Sequence, residues 1–195
     1  MSRFPALVAL CALFCASRTT FAVVKDYQAI LDGPSESPPN ASPGTGFTEV
    51  TIDTIANTMK VHVDFAGLLG PSTACHIHAP TADPFTLTAG VATTTPYFTG
   101  FPIGVTSGSY DNTLDLTAAS SYNPAYVTAN GGTPASAEAA LLAAIDAGKS
   151  YLNIHTTVVP GGEIRGFLVP VPEPGCAAVI GVSAMLLGRR RQRAS

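Results

Sequence analysis

Two histidines separated by a single residue are the first feature of this chain that could perform chemistry. They are His76 and His78, within the stretch 73–80, and the whole sequence contains four histidines. Residues i and i+2 of a β-strand point to the same face, so both imidazoles would enter one space. Such a pair is typical of the beginning of a metal site. It is equally compatible with two polar side chains on a solvated strand.

A third histidine, His155, occurs much later, in another stretch with the pattern of a strand. The three imidazoles would form a set of nitrogen ligands, and imidazole suits copper, zinc, iron or nickel. His62 is a weaker fourth candidate, because it alternates with Val61 and Val63 and therefore points away from their apolar face. The alternative interpretation is structural, with the histidines forming hydrogen bonds that tie strands and loops together.

A histidine pair on one strand, followed by a distant histidine, resembles the beginning of the copper site of Cu/Zn superoxide dismutase, which is also a β-sandwich. By that resemblance copper is the first metal to expect and zinc the second. The zinc-site loop and the disulfide of that enzyme are not evident in this sequence, which argues against dismutase activity.

Catalytic constellations of other kinds are not evident either. The sequence has no Ser-His-Asp spacing, no phosphate-binding loop and no Cys-x-x-Cys motif. Glu163 and Arg165, two residues apart on one predicted strand, would share a face and could form an ion pair. An exposed pair of this kind contributes little. We therefore predict no enzymatic activity and assign no catalytic residue.

Residues 1–22 are typical of a secretory signal peptide. A positive charge at Arg3 precedes an almost entirely apolar run at 6–16, predicted to be helical, and small residues lead to a cleavage position after Ala22. We expect signal peptidase to remove this segment during export.

Residues 171–195 combine Pro172-Glu173-Pro174, an uncharged run at 175–188 and a cluster of arginines, namely Arg189, Arg190, Arg191 and Arg193. The uncharged run is shorter than the roughly 20 residues that span a bilayer comfortably, and the arginines would stay on the cytoplasmic side. In this order the three parts resemble the PEP-CTERM sorting signal of Gram-negative and related bacteria. The resemblance implies a hydrophobic helix at 175–188 that contacts the membrane transiently. It also implies cleavage near Pro172–Pro174 by an exosortase and delivery to the cell surface or extracellular matrix.

Removal of both ends changes the charge of the chain. The whole sequence has 10 Lys and Arg against 13 Asp and Glu, and six of the arginines and one glutamate lie in the terminal segments. The remaining domain, 23–170, holds 4 basic and 12 acidic residues, a net charge of −8. Such a domain repels nucleic acid and anionic membrane, so we predict neither as its partner. Its one cysteine, Cys75, cannot form an internal disulfide, and we expect it to be buried.

The domain is predicted to be mostly β. Alternating apolar and polar residues between turn signals indicate strands at 27–31, 47–53, 59–65, 74–79, 109–116, 151–158 and 163–168. We expect 59–65 and 74–79 to form one hairpin and the last two strands to form another. A short strand near 90–93 interrupts a loop at 81–108, and residues 35–46 and 123–132 are predicted to be loops.

One helix is expected in the domain. It follows Thr133 as N-cap, has Pro134 at its first position, and ends before Gly148 in the left-handed conformation. Together these elements predict an antiparallel β-sandwich, immunoglobulin-like or superoxide-dismutase-like, with one short helix.

Several segments of the domain resemble a known family when taken in order. They are Tyr27–Leu31, Glu36-Ser-Pro-Pro39, His76-Ile-His-Ala79, the Ala-rich helix, Tyr151-Leu-Asn-Ile-His-Thr156 and Gly161-Gly-Glu-Ile-Arg-Gly166. They resemble the CHRD domain, first described in chordin and common in secreted bacterial proteins, over nearly all of residues 26–168. The resemblance implies a β-sandwich, an extracellular setting and no established enzymatic activity. Ala79 departs from the family, which usually has Gly there, and this should alter only the turn.

Two functions therefore remain open. The leading one is a secreted or surface-displayed binding or structural module of the cell envelope or extracellular matrix, with an extracellular protein or polysaccharide as partner. The alternative is a histidine-ligated protein that binds copper or zinc in a redox or storage role. The register of the 151–168 hairpin bears on the choice, because it decides which face His155 occupies. A slip of one residue turns every side chain to the opposite face.

Overall fold

The computed structural model describes residues 24–172, which form a sheet of eight strands and a small number of helices. The strands are β1 (Val24–Asp32), β2 (Thr45–Asp53), β3 (Thr58–Ala66), β4 (Ser72–His78), β5 (Gly108–Asp115), β6 (Tyr151–Thr156), β7 (Ile164–Phe167) and β8 (Val169–Pro170). A 3-10 turn (Ala119–Ser121) and two α-helices, α1 (Pro124–Ala129) and α2 (Pro134–Asp146), lie between β5 and β6.

All of the strand pairs are antiparallel and belong to one continuous sheet in the order β4-β6-β7-β1-β2-β3-β5, with β8 paired to β1. The sheet curls into a half-barrel, so that its two halves enclose the core. The prediction of a mostly β, antiparallel fold is confirmed. The core is closed by curvature of a single sheet, and not by two separately hydrogen-bonded sheets.

The meander β1-β2-β3 follows from strict alternation along the chain. On β3, the side chains of Met59, Val61, Val63 and Phe65 are buried, while the residues between them face outward. Asn57 adopts a positive φ of 52° in the turn between β2 and β3. This alternation is the pattern of a sheet with one face on the core, as the sequence predicts.

The predicted hairpin of 59–65 with 74–79 is wrong. Both edges of β3 are occupied, by β2 and β5, and β4 pairs with β6 instead. The chain crosses between the two halves of the sheet through residues 67–71. The physical difference is burial: β3 has one solvated face, whereas the last four residues of β4 are all buried.

Helix α2 is confirmed together with its predicted ends. The Thr133 side chain accepts a hydrogen bond from the Ser136 N–H in a capping box, and Gly148 has a φ of 67°. The prediction of a continuous loop at 123–132 is wrong, because α1 begins at Pro124. Asn123 caps it by accepting from the Ala125 N–H, and this Asn-Pro signal was present in the sequence.

The last hairpin is confirmed, and its register is now defined. Asn153 lies opposite Arg165 and Ile154 lies opposite Ile164, so Ile154 and Ile164 face the core. Cys75 is fully buried and is a free thiol, as expected.

The two terminal predictions fall outside the described residues. Residues 1–22 with the cleavage position at Ala22, and residues 173–195 with Glu173, Pro174 and the arginine cluster, are not described. Pro172 is the last residue that the structure describes. Within 24–172, none of the helices has the length and apolar character needed to cross a membrane.

The close approach of β7 to β1 generates a test of the fold. A Cβ atom at Gly166 would overlap the backbone carbonyl oxygen of Ile30, so Gly166→Ala must push these strands apart. We expect a loss of about 1–3 kcal/mol in the free energy of unfolding, measured by urea denaturation. Gly161→Ala is the matched control, because a Cβ there meets nothing within 4 Å, and its effect should stay within about 0.5 kcal/mol. Equal stability of the two variants would contradict this packing.

Candidate metal centre

The strands β4, β6 and β7 align their side chains in cross-strand rows. His76 lies opposite Asn153, which lies opposite Arg165, while His78 lies opposite Tyr151. His155 is two residues beyond Asn153 and therefore points to the same face. All three predicted ligands of the first rank thus share one face of this half of the sheet.

The opposite face of the same strands belongs to the apolar core, with Cys75, Ile77, Leu152 and Ile154 fully buried. The histidine face is also covered. His76 and His78 are only 6% and 8% exposed, and His155 is half-buried. The interpretation of a solvated strand is therefore wrong, because loops from both sides close over the polar face.

The three imidazoles converge. The ring centroid of His76 lies 4.7 Å from that of His78 and 4.9 Å from that of His155. The Nε2 atoms of His76 and His155 are 3.1 Å apart. One nitrogen from each of the three rings lies within 4.8 Å of the others, and among the described residues these three form the group able to hold an ion.

Each ring is oriented by a backbone carbonyl. His76 Nδ1 lies 2.9 Å from the carbonyl oxygen of Pro96. His78 Nδ1 lies 2.7 Å from that of Ala89, and His155 Nδ1 lies 2.8 Å from that of Pro160. A carbonyl oxygen accepts only, so each Nδ1 carries the hydrogen and donates it. The lone pair of each neutral ring is therefore on Nε2.

This tautomer leaves an electrostatic conflict between His76 and His155. Two Nε2 lone pairs facing each other at 3.1 Å cannot form a hydrogen bond unless one ring is protonated. A cation between them, either a proton or a metal ion, resolves the conflict.

Burial disfavours the proton. It lowers the pKa of all three histidines, and for His76 burial, with the neighbouring His78 second, lowers the pKa to about 3. The cluster is therefore a set of neutral imidazoles near neutral pH, which is the state that binds metal.

The ring of His78 makes two further contacts. It stacks on Tyr151 with centroids 4.6 Å apart, and its Nε2 lies 3.1 Å from the side-chain amide of Asn153. The atom that faces this nitrogen is Asn153 Oδ1, an acceptor, so the contact leaves the Nε2 lone pair of His78 unused. Asn153 therefore lies at the edge of the cluster.

His62, the weaker fourth candidate, is not brought to the other three. It lies on β3, where its Nε2 is 3.1 Å from Asp64 and its Nδ1 is 3.4 Å from Asp111 on β5. The structure places it on the solvated face of the other half of the sheet.

The predicted ion pair of Glu163 with Arg165 is replaced by two separate networks. Glu163 is fully buried and accepts hydrogen bonds from the Ser42 hydroxyl (2.6 Å), the Leu69 N–H (2.6 Å) and the Thr156 hydroxyl (2.5 Å). Arg165 lies over the Tyr151 ring, 4.7 Å from its centroid. Residues distant in sequence supply most of these partners, so spacing alone could not reveal them.

Glu36 is a residue of this region that the spacing of the histidines did not reveal, although its segment belongs to a recognised motif. Its carboxylate lies 3.8 Å from Arg165 Nε and is 7% exposed, and its Oε1 has no hydrogen-bond partner among the described residues. Burial raises the pKa of Glu36 to about 7, against the opposing effect of the Arg165 charge.

The lowered histidine pKa values predict acid sensitivity. An unfolded histidine titrates near 6.5, so below that pH the unfolded chain binds protons that folded His76 refuses. The contribution of His76 to stability is complete above about pH 6.5 and falls as the pH decreases toward 3. His76→Gln should therefore reduce the slope of unfolding free energy against pH, between 4 and 6, by about 1.4 kcal/mol per pH unit. Urea unfolding of the metal-free protein at several pH values measures both slopes, and identical slopes would contradict the prediction.

Comparison with known protein families identifies the same domain that the order of the sequence motifs indicates. The CHRD domain family matches residues 27–168, which is most of the chain and nearly all of the described part. Searches among curated proteins and among solved structures found no match. The matched range includes all of the strands from β2 to β7 and all three clustered histidines, so the site lies within the family's domain. The chain belongs to the CHRD domain family.

Proposed function

We propose that this protein is an exported CHRD module that binds a transition-metal ion through His76, His78 and His155. One observation carries the proposal: three Nδ1 atoms are anchored on backbone carbonyls, the Nε2 atoms of His76 and His155 face each other at 3.1 Å, and one nitrogen of each ring lies within 4.8 Å of the others. Histidines that ligate metals generally have their second nitrogen hydrogen-bonded in this way, which sets the tautomer and ring orientation.

The separation of one pair of nitrogens supports the same conclusion. Two imidazole nitrogens on one tetrahedral ion, each about 2.0–2.1 Å from it, are about 3.3 Å apart. The observed separation between His76 and His155 is 3.1 Å. Copper is the first candidate and zinc the second, because both accept imidazole nitrogen.

The role that this site supports is metal binding or storage. Within residues 24–172 the cysteine is a single buried thiol, Cys75, so the described domain offers no disulfide of the dismutase kind. We do not assign dismutase activity or any catalytic residue to the cluster.

The proposed location of the module rests on the two ends of the chain. The signal peptide at 1–22 would direct export, and the PEP-CTERM-like segment at 171–195 would direct an exosortase-type enzyme to the protein. The mature domain would then function at the cell surface or in the extracellular matrix, where a protein or polysaccharide partner is accessible. Its net charge would attract cations and repel nucleic acid.

Metal analysis tests the binding site. We expect the chain purified from a periplasm supplied with copper and zinc to carry one metal ion, predominantly copper, by elemental analysis. His76→Ala, His78→Ala and His155→Ala should each reduce affinity by about 100-fold or more, since each removes an imidazole ligand, a larger loss than removal of an outer-shell partner. His62→Ala is the matched control and should retain the metal, because His62 lies outside the cluster.

Circular dichroism should accompany these measurements, because the three histidines are largely buried and their loss affects packing as well as ligation. Stoichiometric metal in a folded His76→Ala/His78→Ala double variant would eliminate this site. A folded wild-type protein that binds neither copper nor zinc would return the histidines to a purely structural role.

Cell fractionation tests the proposed location of the protein. In a host that contains the sorting enzyme, the full-length protein should reach the cell surface or medium without its terminal segments. Replacement of Pro172, Glu173 and Pro174 by Ala should leave the protein in the inner membrane, while Pro43→Ala, a proline outside the motif, should not alter sorting. Accumulation of the wild-type protein in the cytoplasm would refute the proposed route.

A further inference from the structure

A buried charge pair lies beside the three-histidine cluster and has no part in holding an ion. Asn153 on β6 lies between His76 on β4 and Arg165 on β7, in one cross-strand row. Tyr151 also links the two groups, since it contacts His78 at 4.6 Å and the Arg165 guanidinium at 4.7 Å. Glu36 reaches the same guanidinium from the loop after β1.

The positive charge of Arg165 is fixed in this position. Its side chain is almost completely buried, its Nε donates to the Ser35 carbonyl, and its Nη1 donates to the Leu87 carbonyl at 3.0 Å. The Glu36 carboxylate is 3.8 Å away and lacks the close, bidentate geometry of a strong pair. The geometry therefore compensates the Arg165 charge only in part.

The ligand set of the cluster supplies no negative charge. The group able to hold an ion within the described residues consists of three histidines, with no carboxylate or thiolate among them. A divalent ion would bring two positive charges into this buried place, whereas a monovalent ion would bring one. Burial penalises the larger charge more strongly, and Arg165 adds repulsion in proportion to the charge.

We propose that the site formed by His76, His78 and His155 takes a monovalent ion, Cu⁺, in preference to a divalent one, and that the Arg165–Glu36 pair sets this preference. The inference rests on the proposed metal-binding function and names the ion that this function serves. Zn²⁺ is the appropriate competitor, because Cu⁺ and Zn²⁺ have the same filled d shell and differ in charge.

The expected size of the effect follows from the geometry of the sheet. Two strand spacings separate the row positions of His76 and Arg165, which is roughly 10 Å. At an effective dielectric constant of about 20, one additional unit of charge at that distance changes an equilibrium constant by roughly tenfold. Arg165 should therefore change the affinity for Zn²⁺ about tenfold more than the affinity for Cu⁺.

The experiment measures both affinities on the purified full-length chain by competition with chromophoric chelators. Cu⁺ is maintained by ascorbate under anaerobic conditions, and the pH is 8, above the pKa of Glu36, so that this carboxylate is ionised in the wild type. Two variants alter the charge pair in opposite directions, Arg165→Met and Glu36→Gln. Lys60→Met and Glu49→Gln are matched controls, since both residues are exposed on the other half of the sheet.

We expect wild-type protein to bind Cu⁺ more tightly than Zn²⁺. Relative to Cu⁺, the affinity for Zn²⁺ should rise about tenfold in Arg165→Met and fall about tenfold in Glu36→Gln, with both controls unchanged. If Arg165→Met does not fold, the near-isosteric Glu36→Gln decides the matter. Tighter binding of Zn²⁺ by the wild type, or a ratio that Glu36→Gln does not move, overturns the inference and leaves the metal site intact. Absence of binding by either ion to folded wild-type protein overturns the metal site itself.

Discussion

The pairing of β6 with β4 on one side and β7 on the other is the constraint on which the site depends. This pairing places Asn153 between His76 and Arg165 and turns His155 to the same face. The reverse face is closed by apolar side chains such as Ile77 and Ile154. A slip of one residue would bury the imidazoles in the apolar core and expose aliphatic side chains to polar loops, so burial on both faces specifies the register strongly.

Loops and histidines in this region stabilise each other. The three loop carbonyls that accept from the imidazoles would otherwise need other donors at a covered surface. The same hydrogen bonds restrict the rotation of the rings and keep one nitrogen of each ring within 4.8 Å of the others. Glu163 has a comparable role nearby, since it joins the loops at Ser42 and Leu69 to β6 through Thr156. The covering loops and the cluster are therefore one structural unit, and loss of either affects the other.

Electrostatics acts on this protein at two distances. The acidic surface of the domain attracts cations over a range of about 10 Å at ordinary ionic strength. Within the covered layer the balance differs, because three neutral rings lie close to a buried guanidinium and a carboxylate with one unpartnered oxygen. The charges that surround the cluster and the charges of the outer surface therefore belong to different residues.

Local sequence determined much of the architecture. Alternation defined the meander of β1, β2 and β3, because a half-solvated strand must alternate, and the capping box with its following glycine defined α2. The short helix α1 was missed because six residues provide little periodicity, although Asn123 and Pro124 marked its beginning. The position of His76 and His78 on one face follows from their spacing alone.

Tertiary structure decided the remaining features of the site. Partners of β3 and β4 depend on which edges are free, and adjacency in sequence favoured the wrong pairing. Convergence of His155 on His76, the separation of Glu163 from Arg165, and the arrival of Glu36 beside that arginine all join segments far apart in the chain. The sequence by itself determined which residues could ligate an ion and which strand face they share. Whether they meet was decided by long-range strand pairing and loop burial, because these depend on contacts that no local pattern encodes.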